Sequence, residues 1–150
     1  MEAKKLKTVC YYTNWSQYRT GEGKFFPENI DENLCTHLIY AFAKLDGNRI
    51  IAQEWNDEST RWSKGIFNSL KKKNSELRTL LAIGGWNAGS GPFSRMVATS
   101  QDRREFVQST ISYLRRWDFD GLDIDWEYPT KRGGVIQDKE RFKLLLQTIN

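Results

Sequence analysis

The chain has 150 residues, of which 39% are hydrophobic and 13% aromatic, and this composition indicates one folded domain with a sizeable core. Its 23 basic and 19 acidic residues give a net charge of +4, scattered largely in pairs, which argues against nucleic-acid binding. No apolar run reaches 18 residues, so we expect no membrane span.

Two strands and a helix are predicted in the first half of the chain. Residues 8–13 are apolar and aromatic, and residues 38–43 form a continuous β-like run. Apolar residues at helical spacing then predict a helix, namely Trp62, Ile66, Phe67 and Leu70. The lysines at 71–73 predict the solvated end of that helix.

The second half continues the alternation of strands and helices. A strand is predicted over residues 79–83, and Ser100 is a candidate N-cap for a helix over residues 102–117. That helix is expected to bury Phe106, Val107, Ile111 and Leu114. A last helix over residues 139–149 is expected to pack through Phe142, Leu145, Leu146 and Ile149. Strands separated by helix-length connections predict βαβ units and a parallel sheet.

The run Asp120-Gly121-Leu122-Asp123-Ile124-Asp125-Trp126-Glu127 lies between these two helices. On an extended strand successive side chains point to opposite faces, so Asp123, Asp125 and Glu127 share one face. Neighbouring carboxyl groups there lie roughly 6.5 Å apart, and at an effective dielectric of about 20 two such charges repel by about 2.5 kcal/mol. We therefore expect one of the three to retain a proton at neutral pH, as a general acid does.

Two other interpretations fit the acidic run less well. A solvated edge strand does not account for the opposite face, where Leu122, Ile124 and Trp126 suit a strand packed under helices. A calcium or magnesium site needs ligands folded around an ion, whereas a rigid strand spreads them along a line. His37 is the only histidine and the two cysteines lie far from the run, which argues against zinc.

The spacing Asp120-x-x-Asp123-x-Asp125-x-Glu127 resembles the signature of glycoside hydrolase family 18, the chitinases and their relatives. Other segments resemble the first three strands of that family in the order in which it places them: residues 9–15 (VCYYTNW), 36–43 (THLIYAFA) and 80–86 (LLAIGGW). Together they cover nearly the whole chain and are most similar to animal chitinases. One mild departure is Ala82, where many members carry serine.

The resemblance implies a (β/α)8 TIM barrel, an α/β fold that typically needs about 250 residues. Because only four strands are predicted, residues 1–150 are expected to form the N-terminal half of the catalytic barrel, inactive in isolation. Its acidic face would meet water, which would return the carboxyl pKa values towards ordinary ones. The open rim would also favour self-association of the half-barrel.

The resemblance also implies a chemistry, the retaining endo-hydrolysis of β-1,4-linked N-acetylglucosamine polymers, in which the N-acetyl oxygen of the substrate replaces an enzyme nucleophile. Glu127 is then the general acid and base. Asp125 orients the acetamido group and shares a proton with Asp123, while Asp120 supports the start of the strand. Chitin or chito-oligosaccharides are the expected partners, with neither cofactor nor metal.

Aromatic residues near strand ends suit the flat apolar faces of sugar rings. By resemblance, Trp15 and Trp86 line the cleft. Three further aromatic residues are expected to shape its floor, namely Tyr11, Phe42 and Tyr128. Core packing is the alternative for each of them, and it is the expected role of Trp117 and Trp126.

Gly84 and Gly85 are expected to let the backbone turn closely after the third strand, with Gly85 at the substrate site. Phosphate binding is a competing interpretation of the glycine-rich residues 84–91. It lacks the following Lys-Ser or Lys-Thr that a phosphate-binding loop requires.

Cys10 and Cys35 are expected to form a disulfide, because both match positions that the family pairs between its first strand and the segment entering its second. Spacing alone leaves two buried free thiols open as the alternative. The disulfide would indicate a secreted, extracellular protein, although residues 1–5 lack the apolar segment of a secretory signal. Asn14-Trp15-Ser16 fits the N-glycosylation pattern but falls at a predicted strand end, so we expect a structural role for it.

A chitin-binding, lectin-like protein without turnover is the main alternative to a hydrolase. Chitinase-like lectins of the family usually lose the acid that stands here at Glu127, so its presence favours the enzyme. A relative that acts on glycoprotein glycans is a third interpretation, and the animal-chitinase likeness of the flanking segments argues against it.

Overall fold

The computed structural model describes residues 6–59 and 63–149 of the chain. Its strands, in chain order, are β1 (Val9–Thr13), β2 (His37–Asp46), β3 (Arg49–Ala52), β4 (Arg78–Gly84) and β5 (Gly121–Asp125). In this described part they form one sheet, with four strands parallel in the order β1-β2-β4-β5. The short β3 pairs antiparallel with the end of β2.

Between β1 and β2 the chain forms short 3-10 helices, whereas α-helices precede β4, connect β4 to β5 and follow β5. The α-helices are α1 (Ser63–Ser69), α2 (Gly91–Met96), α3 (Ser100–Trp117) and α4 (Asp138–Ile149). The predicted parallel sheet with helical connections is thereby confirmed, and the arrangement is that of part of a (β/α)8 barrel. Trp62, expected in α1, lies outside the described residues, as do residues 1–5. No helix within residues 6–59 and 63–149 is long and apolar enough to cross a bilayer.

The two faces of the sheet differ in the size of the buried cluster that each carries. The face under the helices buries large residues such as Tyr40 and Leu81, which pack with Phe67 and Phe106 of the helices. The opposite face, called the inner face below, carries a smaller buried cluster of Ile39, Ala41 and Ala82, with Phe42 and Leu80 packed against it.

The strand β5 follows this division. Leu122 and Ile124 pack against the large core under the helices. Asp123 is in register with Ala82 of the inner face, and Asp125 points the same way because side chains alternate along a strand. The predicted division of β5 into an apolar and an acidic face is therefore confirmed.

A disulfide links β1 to the segment that enters β2. Cys10 in β1 and Cys35, two residues before β2, are bonded, with their Cα atoms 6.2 Å apart. The expected pairing is present. Closing a loop of this length stabilises a fold by roughly 3 kcal/mol in the chain-entropy description.

Some side chains predicted in the core lie at the surface instead. Ile111 of α3 is 40% exposed, because the buried stripe of that helix is rotated away from it and runs through Phe106, Thr110, Tyr113 and Trp117. Because Thr110 lies in the buried stripe and Ile111 lies beside it, the apolar pattern of the sequence is displaced by one position from the face that the helix buries. In α4, Leu145 is fully buried, whereas Leu146, on an adjoining face, and Ile149, the last residue of the helix, are exposed.

The beginning of α3 and the end of α1 also differ from prediction. The N-cap of α3 is Thr99 rather than Ser100, and its hydroxyl oxygen accepts a 3.1 Å hydrogen bond from the Asp102 N–H. Lys71 is not solvated, since its ammonium group lies 3.2 Å from Asp118 and 3.4 Å from Asp120. The charges that follow α3 hold this lysine side chain against the sheet.

Two short elements are not predicted from the sequence. The strand β3 has four residues and follows a tight turn, so its run is too short to show a period. The helix α2 begins with Gly91-Pro92, a pair that is typical of loops. Both are stabilised by tertiary contacts and not by a local pattern.

Candidate active site

The acidic side chains of β5 lie on the inner face of the sheet. The Asp123 carboxylate accepts a 2.8 Å hydrogen bond from the hydroxyl of Tyr11 in β1. Because β1 and β5 are the outer strands of the described sheet, this contact requires the sheet to curl until both strands approach across the inner face. Asp125 ends β5, and Glu127 follows two residues later.

The electrostatics of this face follow from burial and from like charge. Burial raises the pKa of the Asp125 carboxyl, and the charges of Asp123 and Glu127 raise it further. Burial also raises the pKa of Tyr11, together with its hydrogen bond to Asp123, so that its hydroxyl stays a neutral donor at physiological pH. The expectation that an open sheet returns the carboxyl groups to ordinary pKa values is wrong for Asp125, which remains half-buried.

A cleft of about 740 Å³ opens at the carboxyl ends of the parallel strands. Glu127 lines it, together with Phe42 of β2 and residues that follow β1 and β4, namely Asn14, Trp15, Gly85 and Trp86. Residues far apart in the sequence meet here because the carboxyl ends of parallel strands share one edge of the sheet.

The aromatic residues take up distinct positions around the cleft. Trp15 stacks on Phe42 with ring centroids 5.9 Å apart and planes 13° from parallel, and its outer side is exposed. Trp86 is 60% exposed on the opposite rim. Tyr11 contacts Asp123, and Tyr128 is half exposed outside the lining of the cleft. Trp117 and Trp126 are buried, as predicted.

Two glycines bring the loop after β4 against the end of β5. Gly84 has a φ of +117°, and a Cβ added to it would lie 2.2 Å from the Asp125 carbonyl oxygen. Gly85 has a φ of +78°, and its N–H donates a 2.8 Å hydrogen bond to that same oxygen. A side chain at Gly85 would also meet the ring of Phe42, 2.8 Å away. The Gly85 N–H is therefore bonded within the fold and is not free to bind a phosphate group.

Asp120 lies at the other end of β5, away from the cleft. Its carboxylate accepts a 2.8 Å hydrogen bond from the Thr79 N–H, and its own N–H donates to the Thr79 carbonyl at 2.8 Å. Burial acts to raise the pKa of Asp120, but the Thr79 hydrogen bond and the charge of Lys71 outweigh it and hold that pKa below its usual value.

A buried aspartate that the sequence does not single out supports the Trp15 loop. The Asp57 carboxylate is fully buried and accepts hydrogen bonds from the Gln53 and Glu54 N–H groups, both at 3.0 Å, and from the Tyr40 hydroxyl. It also accepts from the amide of Asn14 at 3.4 Å. The run Glu54-Trp55-Asn56-Asp57 is mostly polar, so its sequence favours a solvated turn, and only the fold reveals the burial of Asp57.

Asn14 is buried as well, and its amide donates a 3.0 Å hydrogen bond to the Phe42 carbonyl. The structural role expected at this glycosylation pattern is therefore confirmed. Within residues 6–59 and 63–149, no three His, Cys, Asp or Glu side chains are grouped so as to hold a metal ion.

Comparison with known proteins extends these observations. The profile of "Glycosyl hydrolases family 18" matches residues 7–150. Chitotriosidase-1 of Mus musculus is 52% identical over 143 residues, which are 95% of this chain and 30% of that protein. The group IV chitinase of Ostrinia furnacalis, solved in complex with allosamidin, superposes with a TM-score of 0.90 at 42% identity, covering 95% of this chain and 39% of that one.

Human YKL-39 is a second solved relative, described as a pseudo-chitinase with retained chitooligosaccharide binding. It superposes with a TM-score of 0.84 at 41% identity, covering 96% of this chain and 38% of that one. The chain thus spans well under half the length of these relatives. A match across nearly all of its residues, with the parallel sheet and the acidic strand in place, shows that the chain belongs to glycosyl hydrolases family 18.

Proposed function

We propose that the natural protein containing these residues is a chitinase that cleaves β-1,4-linked N-acetylglucosamine polymers internally and with retention of configuration. One observation carries the proposal: Glu127 lines the same cleft as Trp15 and Trp86, directly beyond the acidic face that holds Asp123 and Asp125. An acid next to flat aromatic side chains suits the protonation of a glycosidic oxygen between stacked sugars.

In the proposed mechanism Glu127 donates its proton to the glycosidic oxygen. The acetamido oxygen of the bound sugar attacks the anomeric carbon, so that no second enzyme carboxylate is needed as nucleophile. As the leaving sugar departs, an oxazolinium ion forms. Glu127, now a carboxylate, removes a proton from a water molecule that opens this ion and regenerates the retained anomer.

Asp125 orients the acetamido group during this reaction. Its raised pKa supports a shared proton with Asp123, because a carboxyl that holds a proton can donate a hydrogen bond to the acetamido group. The Tyr11 hydroxyl of β1 donates to Asp123 across the inner face and keeps that carboxylate in place. Asp120 supports the start of β5 and takes no part in the chemistry.

Sugar binding is assigned to the aromatic residues of the cleft. Trp86 and Trp15 offer exposed indole faces, and Phe42 with Gly85 shapes the surface between them. Tyr11 acts through Asp123. Tyr128, which lies outside the lining, contacts only a sugar that extends beyond the cleft described here.

We further assign residues 1–150 to the N-terminal half of the catalytic barrel and the protein to a secreted origin, which the Cys10–Cys35 disulfide supports. The isolated chain is then inactive and prone to self-association, since β1 and β5 have no neighbour beyond them in the described sheet.

Chitin binding without turnover is the second candidate. YKL-39 is described as a pseudo-chitinase that retains chitooligosaccharide binding, and it shares this fold. Glu127, the acid expected to be lost in such proteins, is present here and lines the cleft, which favours the hydrolase.

One experiment separates the candidates. The natural protein is mixed with hexa-N-acetylchitohexaose, and NMR follows the anomeric protons of the first products. Initial formation of the β-anomer supports the retaining hydrolase. Binding without cleavage assigns the protein to the second candidate, and absence of binding rejects both.

A further inference from the structure

Arg132 makes three contacts to the two loops that carry cleft residues. Its guanidinium group lies over the Trp86 ring, 3.6 Å from the centroid. One of its nitrogens donates a 2.8 Å hydrogen bond to the Trp86 carbonyl and a 3.1 Å hydrogen bond to the Glu127 carbonyl. One side chain therefore touches both the residue proposed to stack on sugar and the residue proposed to donate the proton.

The stacking contact leaves one face of the indole for a ligand. Trp86 lines the cleft, whereas Arg132 is not among the lining residues, so the guanidinium covers the ring from outside the cleft. Trp86 is 60% exposed and lies outside the large apolar core, so core packing does not hold its ring. The Arg132 guanidinium therefore provides a packing contact to a ring that the apolar core does not hold.

The chemistry of arginine suits this position. A planar guanidinium can stack on an aromatic face while its in-plane N–H groups reach carbonyl oxygens, whereas an ammonium group is a point charge. The backbone of Arg132 has a φ of +52°, in the left-handed region that is uncommon for residues other than glycine. Such a conformation is kept where surrounding contacts require it.

The loops are also joined without the Arg132 side chain. The Ser90 hydroxyl donates to the Tyr128 carbonyl at 2.8 Å and accepts from the Trp126 indole N–H at 2.9 Å. The Ser90 N–H donates to the Arg132 carbonyl at 3.3 Å. These bonds join the loops without the guanidinium group, so the local fold does not depend on that group alone.

We propose that Arg132 is a positioning residue, which fixes the Trp86 ring as a preformed stacking surface and holds the peptide of Glu127 in place. The inference rests on the proposed function and deepens it, since it states how the Trp86 subsite gains affinity. Holding the ring before binding removes an ordering cost that the sugar would otherwise meet, so the contribution of Trp86 depends on Arg132.

A double-mutant cycle tests this dependence in the natural protein. The Glu127→Gln background prevents hydrolysis, and calorimetry measures the dissociation constant of hexa-N-acetylchitohexaose. Arg132→Gln is expected to weaken binding about tenfold, and Arg132→Lys by a similar factor because charge alone does not restore the stack. In a Trp86→Ala background, Arg132→Gln is expected to leave the dissociation constant unchanged.

Lys131→Gln is the matched control, because it removes the same charge one residue away without touching the Trp86 ring. It is expected to leave the dissociation constant unchanged. The proposal would be overturned if Arg132→Gln lowered the affinity equally with and without the Trp86 ring. It would also be overturned if Arg132→Gln did not lower the affinity.

A second readout needs no sugar. The protein is labelled with 5-fluorotryptophan, and Trp86→Phe identifies the ¹⁹F signal of Trp86. Arg132→Gln is expected to shift or broaden that signal and to leave that of the buried Trp126 unchanged. If the wild-type protein binds no oligosaccharide, the proposed function fails, and the ¹⁹F signal alone decides the positioning role: an unchanged Trp86 signal overturns it.

Discussion

The hydroxyl of Tyr11 and the carboxylate of Asp123 are joined by a 2.8 Å hydrogen bond, although the two residues lie 112 positions apart in the chain. They belong to β1 and β5, the outer strands of the described sheet. The bond crosses the inner face and connects the beginning of the fold to the acidic strand. It makes the position of Asp123, and through it that of Asp125, depend on both ends of the sheet.

Tyr11→Phe is therefore expected to lower kcat in the natural protein by a factor of about ten, because Asp123 loses the donor that holds it. The change in thermal stability is expected to be small, since Tyr11 is half exposed. Tyr18→Phe is a matched control, because the Tyr18 hydroxyl donates a 2.7 Å hydrogen bond to the Glu54 carboxylate at similar exposure. Steady-state kinetics in which both variants lose the same fraction of kcat would contradict a specific role for Tyr11.

The acidic strand could be predicted from the sequence, because a period of two along a strand is a local property. The pairs Leu122 with Ile124 and Asp123 with Asp125 separate onto two faces as that period requires. What lies across from them could not be predicted, since the bond from Tyr11 depends on how far the sheet curls. The same holds for the cleft, which exists only where four strand ends meet in the described sheet.

Loop residues escaped prediction for a different reason. Asp57 and Arg132 are charged residues in polar segments, and such segments usually lie in solvent. Backbone N–H groups of its own loop converge on the buried Asp57, and Arg132 stacks on an indole ring. Neither fact is visible in a one-dimensional pattern, which records residue types and spacing only.

Glu127→Gln is expected to abolish hydrolysis in the natural protein while binding of chito-oligosaccharides is largely kept. The amide preserves the shape of the side chain but cannot deliver a proton, and general acid–base catalysis is worth roughly 10²–10⁴-fold. Turnover of a fluorogenic chitobioside and calorimetric binding measure the two effects. Glu140→Gln, an exposed charge on α4, is the control and should alter neither. Substantial residual turnover would assign the proton to another residue.

Asp125→Asn and Leu122→Asn place the same amide on opposite faces of β5 and should act differently. Asp125→Asn is expected to lower turnover severely, because the proposed mechanism uses this carboxyl to orient the acetamido group. Leu122→Asn is expected to destabilise the fold by about 2 kcal/mol or more, because it places an amide against the core under the helices. Thermal unfolding and steady-state rates separate the two effects. Equal losses of stability and of rate in both variants would show that the faces are wrongly assigned.

Asp125 and Asp120 should also give pH dependences of stability with opposite signs. The pKa of Asp125 is raised in the fold, so its stabilising contribution is present below the ordinary value of 3.8 and is lost as pH rises through the folded value. The pKa of Asp120 is lowered, so its contribution is present above 3.8 and is lost as pH falls through the folded value.

Relative to the wild-type protein, Asp125→Asn is therefore expected to gain stability on going from acid to neutral pH. Asp120→Asn is expected to lose stability over the same range. Melting temperatures measured between about pH 3 and pH 7 test both signs. Parallel curves for the two variants would rule out the opposite environments described for the two ends of β5.

Gly84→Ala tests the close approach of the β4 loop to the end of β5. An added Cβ would lie 2.2 Å from the Asp125 carbonyl oxygen, a backbone atom that cannot move aside without displacing β5. Gly47→Ala is the matched control: its φ of +56° also disfavours a side chain, but nothing lies within 4 Å of the added atom. The control should lose only the stability that the left-handed conformation costs, about 1–2 kcal/mol.

Gly84→Ala is expected to lose clearly more stability than the control, measured by chemical unfolding, because it adds a clash to an unfavourable φ. It is also expected to lower turnover, since relief of the clash must break the hydrogen bond from the Gly85 N–H to the Asp125 carbonyl. That bond holds the loop bearing Trp86 next to the segment that leads to Glu127. If Gly84→Ala were no more harmful than Gly47→Ala, the two loops would not meet as described, and the cleft would need another explanation.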